Sequence, residues 1–76
     1  MKTLDEFVSL FAEQFDDTDP SEIMAETEFH ELEEWSSLTA MGVIALAKTQ
    51  FGKAITGKEI RGCVTVKDLY DLLMSK

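Results

Sequence analysis

Residues 36 and 37 are adjacent serines, in the stretch EEWSSLTAM where an acidic run gives way to an apolar one. A hydroxyl at the front of a helix can accept a hydrogen bond from an otherwise unpaired amide, or it can bear a chemical group. Ser36 is placed to cap the helix that follows, which makes Ser37 the first helical residue, its hydroxyl directed to solvent. A phosphate ester on Ser37 would sit at the positive end of the helix dipole, an arrangement worth about 0.3–1 kcal/mol. Serine pairs at helix starts are most often caps and nothing more, so these residues alone leave both readings open.

The other reactive side chains are scattered. His30 is the only histidine and has no cysteine or second histidine to share a zinc ion, so no metal site is expected. Asp16, Asp17 and Asp19 bunch like calcium ligands, but the glycine and terminal glutamate of an EF-hand loop are missing. Cys63, the lone cysteine, has no base near it in sequence and reads as a small buried hydrophobe. It also excludes an internal disulfide framework and fits a reducing cytoplasm. With no catalytic triad, glycine-rich phosphate loop or ligand cluster, the chain is expected to catalyse nothing on its own. Trp35, just ahead of the serines, either staples the preceding loop to the helix or contacts partners.

Four helical segments must position these residues. Thr3 and Glu6 form a capping box, and Leu4, Phe7, Val8, Phe11 and Phe15 recur as one apolar stripe. The run Asp16–Pro20 is expected to end that first helix, because the residue before proline avoids the helical region. Residues 17–35 read as a long connection, with a helical turn near Ser21–Met24 and Ile23, Phe29 and Leu32 as anchors. The second helix is expected over Ser37–Phe51, stopped by Gly52. Its core stripe is read as Ala40, Val43, Ile44, Ala47 and Phe51, with Leu38, Met41 and Ala45 forming a second apolar stripe. A short helical turn spans Gly57–Gly62, and Thr65–Asp68 opens a last helix carrying Val66, Leu69, Tyr70, Leu72 and Leu73. The expected fold is therefore all-α: a small four-helix bundle of three main helices and one short one, a single domain over residues 1–76.

Charge narrows the partners. The net charge of −8 argues against nucleic acid, which needs a basic surface. Residues 1–36 carry one lysine against twelve acids, a net of −11, whereas residues 37–76 carry six basic residues against three acids, a net of +3. That asymmetry describes either an acidic patch that steers basic partners or a merely solvated acidic surface. No apolar run is long enough for a membrane span, and the amino-terminal residues lack the cleavage site of a signal peptide.

At this point the chain resembles the acyl carrier proteins. In that family a four-helix bundle presents an Asp-Ser-Leu motif at the start of its second helix, and the serine receives 4′-phosphopantetheine from coenzyme A. The corresponding residues here are Ser36-Ser37-Leu38. Phe29 lies eight residues before the serine, the approach is acidic, the helix closes on Phe51-Gly52, and Thr65-Val66-x-Asp68-Leu69 resembles the family's last helix start. The similarity covers nearly the whole length. It implies that Ser37 is the attachment serine, that Ser36 stands in the aspartate's place as the cap, and that the protein is a non-catalytic carrier of acyl thioesters. The implied setting is fatty acid, lipid or polyketide-type biosynthesis in the cytoplasm, with the protein a monomer. Implied partners are a phosphopantetheinyl transferase and acyl-transferring or condensing enzymes with basic docking patches. Two departures stand out. Ser36 brings no negative charge beside the acceptor hydroxyl, and residues 37–51 contain no acid to meet a basic partner. Glu31, Glu33 and Glu34 are read as the steering charge instead, with Leu38, Met41 and Ala45 as a dry contact surface. Ala40 and Ala47 either leave room for an acyl chain between helices or only permit close packing. Two alternative functions remain beside the carrier: an unmodified helical adaptor for a basic partner, and a carrier of aminoacyl groups.

Overall fold

A computed structural model describes residues 3–76; Met1 and Lys2, the start of the expected 1–76 domain, lie outside the described residues. Four α-helices follow one another: α1 (Leu4–Ala12), α2 (Ser37–Phe51), α3 (Gly57–Arg61) and α4 (Val66–Ser75). Two 3₁₀ turns, Pro20–Glu22 and Phe29–Glu31, punctuate the connection between α1 and α2. The described residues contain no strand, only an isolated antiparallel bridge between Glu28 and Thr65. The molecule is thus a small all-α bundle.

Each helix begins where a short hydroxyl side chain meets the first free amides. Thr3, Thr56 and Thr65 form capping boxes with Glu6, Glu59 and Asp68. Ser36 caps α2 without the reciprocal acid. The α2 stop is equally local: Gly52 takes a left-handed φ of 65° that a side chain would resist, and its amide reaches back into the last turn.

Packing joins α1 to α4 and to α2, and α2 to α3. The core is aromatic at its centre. Phe7, Phe11 and Phe29 are fully buried, and Phe11 meets Phe29 edge-on with ring centroids 5.7 Å apart. Edge-to-face pairing of this kind adds roughly 0.5–1.5 kcal/mol beyond the area it buries. Phe29 and Ile23 carry the long connection into the core, and Leu32 packs partly against it. The connection is fastened at its other side by the Val66 amide to the Thr27 carbonyl and the Lys67 amide to the Ala25 carbonyl. A loop of this length therefore holds one conformation through its anchors and not through regular structure.

Two details differ from the periodicity. α1 ends at Ala12, ahead of the Asp16–Pro20 run, because the amides of Gln14 and Phe15 turn to carbonyls three residues back. That tightened turn still delivers Phe15 to the core at 5% exposure. In α2 the innermost residues are Thr39, Val43, Leu46 and Ala47, while Ala40, Ile44 and Phe51 are only half-buried. The helix is apolar almost all round, so its sequence could not say which stripe faces inward; the contacts with α1 and α3 decide it.

Candidate functional site

The two serines have different fates. The Ser36 hydroxyl accepts from the Thr39 amide at 3.4 Å. Thr39 Oγ1 donates to the Glu34 carbonyl at 2.9 Å, so the 3.2 Å contact between the two hydroxyls has Ser36 as donor. Ser36 is thus used both as acceptor and as donor. Thr39, the buried polar residue of α2, is satisfied by the same arrangement. Ser37 is exposed, sits at the first position of α2, and its hydroxyl has no partner among the described residues. The amides of Ser37 and Leu38 are likewise unpaired among the described residues, so the positive end of a 15-residue helix opens beside a free alcohol.

A cavity of about 420 Å³ opens next to that hydroxyl, between α2 and α3. Ala40, Met41 and Ile44 line it from α2, Ile60 and Arg61 from α3, and Trp35 borders it from the connection before α2. Both serines stand at its edge. Ala40 borders this space, whereas Ala47 is 1% exposed, does not border it, and belongs to the packed core.

Trp35 and His30 hold the cavity in shape. The indole lies 4.7 Å from Phe29, edge-on, and stacks over Phe11 at 6.2 Å. Trp35 therefore staples the connection to the α1 core and also borders the cavity. His30 Nε2 lies 2.9 Å from the Cys63 carbonyl and 3.2 Å from that of Ile60. Both partners only accept, so Nε2 carries the proton. The ring thereby ties the connection to the end of α3, across some thirty residues of chain. Sequence spacing could not show this, since nothing local pairs His30 with residues so distant.

Of the three acids read as steering charge, Glu31 and Glu33 are exposed. Glu34 is folded back onto the loop after α1. Its carboxylate accepts from the Asp16 amide at 2.8 Å, the Asp17 amide at 3.1 Å and the Thr18 hydroxyl at 2.7 Å. The Thr18 hydroxyl is the main reason its carboxyl is held below the ordinary glutamate range, with the two amides adding to the effect against some burial. Leu38 is 79% exposed and Met41 64%, and Ala45 continues the same open face one turn on.

The remaining reactive groups stay apart. Burial pushes the Cys63 thiol up, and the Asp68 and Glu59 carboxylates push it further, so it stays protonated and a poor nucleophile. No group of three or more histidine, cysteine, aspartate or glutamate side chains among the described residues is placed to hold a metal ion. No helix of the described residues is long and apolar enough to cross a membrane. No protein-family model, curated protein or solved structure matches the chain.

Proposed function

We propose that this protein is an acyl carrier that bears 4′-phosphopantetheine on Ser37 and presents tethered acyl groups to partner enzymes. The observation that carries the reading is the contrast between neighbours: Ser36 spends its hydroxyl in the fold, while Ser37 keeps a free one at the helix front. A phosphodiester suits that position because the unpaired amides of Ser37 and Leu38 donate toward an anion there. Loading joins Ser37 Oγ to the phosphorus of coenzyme A's pantetheine arm, releases adenosine 3′,5′-bisphosphate, and sends the serine proton to a base of the transferase.

When attached, the group supplies a thiol that holds acyl chains as thioesters. The chain's own part is positional. α2 fixes the root of the arm, so that docking one domain delivers the cargo at an effective concentration set by the arm's reach. The cavity beside Ser37, walled by Ala40, Met41 and Ile44, offers an apolar shelter for part of that cargo. Leu38 and Met41 provide a dry contact for a partner enzyme, and Glu31 and Glu33 lie near enough in sequence to guide a basic rim.

Intact mass after incubation with coenzyme A and a phosphopantetheinyl transferase tests the assignment. The parent and Ser36→Ala should each gain one prosthetic group, and Ser37→Ala should gain none. Uptake that persists in Ser37→Ala, or no uptake with any of several transferases, rejects the carrier reading and leaves a helical adaptor in its place.

A further inference from the structure

The cavity beside Ser37 is apolar along most of its wall, yet among the described residues one cation, Arg61, stands on it. Arg61 borders the space from α3, and a Cβ built on Gly57 would lie 3.6 Å from Arg61 Nη1, so the guanidinium is folded back over the start of that helix. It has no ion pair or hydrogen bond among the described residues. The only acid of α3, Glu59, is engaged with Lys76 at 2.7 Å. No acidic side chain of the described residues borders the cavity. An apolar pocket of this size falls within the range of about 300–1,000 Å³ usual for small-molecule sites. A lone guanidinium on its rim sets the sign of what enters.

We propose that this cavity takes an apolar ligand bearing an anionic oxygen group, with Arg61 as its counter-ion. The ligand can be a free amphiphile or, on the carrier reading above, a tethered acyl chain that carries a second acidic group; only that second source rests on the carrier reading. The preference would run against the molecule as a whole. A net charge of −8 repels anions, so selectivity for one reports a local cation and not the overall field. Because Arg61 is exposed, the gain is modest: about two- to fivefold in affinity, the range of a solvent-screened ion pair.

Trp35, the single tryptophan, borders the cavity and gives a direct signal. Its emission is titrated in the unmodified protein with octanoate, octanol and octylamine, each below its micelle concentration. Octanoate should bind tightest, and Arg61→Gln should bring it level with octanol, while Arg61→Lys keeps much of the difference. Equal binding of the three head groups, or an octanoate preference that survives Arg61→Gln, overturns the proposal. Protein carrying the arm, loaded with glutaryl or pentanoyl thioester, separates the two sources. A Trp35 response to glutaryl alone that Arg61→Gln abolishes assigns the anion to the cargo. A preference confined to unmodified protein assigns it to a free amphiphile. Failure to load the arm refutes the carrier reading while the octanoate comparison stands.

Discussion

Ala40 and Ala47 lie two turns apart on α2, and the same substitution at each should have opposite consequences. Ala47 is 1% exposed within the core cluster. Leucine there forces three further carbons into packed surroundings, which costs about 1–3 kcal/mol. For a domain of this size each kcal/mol lowers the melting temperature by roughly 4–8 °C, so Ala47→Leu should melt about 4–24 °C early. Ala40 borders the 420 Å³ cavity and is half-buried. Three added carbons at about 0.8 kcal/mol each could contribute up to about 2.4 kcal/mol if fully covered. The cavity is open to solvent, and ordering the leucine side chain costs about 0.5–1 kcal/mol, so the net for Ala40→Leu is about 0–1 kcal/mol of stabilisation. Helix propensity hardly enters, because alanine and leucine differ little and the change is the same at both sites. Urea unfolding followed by circular dichroism gives both values, and octanoate titration of Trp35 gives the second readout. Ala40→Leu should weaken octanoate binding while keeping the fold; Ala47→Leu should lose stability. Equal stability losses at the two positions, or parental octanoate affinity in Ala40→Leu, would show that the space beside Ser37 is not as described.

Further predictions concern the loop and the cap. Ser36→Ala removes the α2 cap and should cost about 1 kcal/mol, read as a lower urea midpoint at unchanged m-value, while Ser37 still accepts its group. Glu33→Lys should slow acyl transfer to a partner with a basic docking patch, mainly at low salt, because rim charge acts on association and is screened. Glu34→Lys should instead raise hydrogen exchange at the Asp16 and Asp17 amides, since its carboxylate holds that turn. An unchanged exchange pattern would remove the structural role assigned to it. The carboxyls of Asp19, Glu34, Glu59 and Asp68 all titrate below their ordinary values in the folded state. The unfolded chain therefore binds protons more readily, and this stability is present at neutral pH and lost as pH falls below about 4.5 for the two glutamates and about 3.8 for the two aspartates, their ordinary values. Glu34→Gln should flatten that acid decline. A decline as steep as the parent's would mean that Glu34 contributes nothing to it.

The helix starts and the α2 stop were legible in the sequence because their causes are local. Thr3, Ser36 and Thr65 each reach amides within three residues, and Gly52 needs only its own backbone freedom. The amphipathic stripes of α1 and α4 were equally readable, since one face of each is plainly apolar. The end of α1 was not, because alanine at position 12 and glutamate at 13 carry no stop signal; the turn forms as Phe15 is drawn into the core.

What the amino-acid order determined by itself was an acidic all-α chain with two hydroxyls at a helix front, one of them placed to cap. Tertiary structure alone decided the rest. It buried Thr39, folded Glu34 back onto residues 16–18, and clamped His30 to the end of α3. It also brought α3 alongside α2, so that Arg61 shares a cavity with Ser37. Caps and turns depend on neighbours a few bonds away, whereas a cavity and its charge depend on which distant surfaces the burial of the aromatic core forces together.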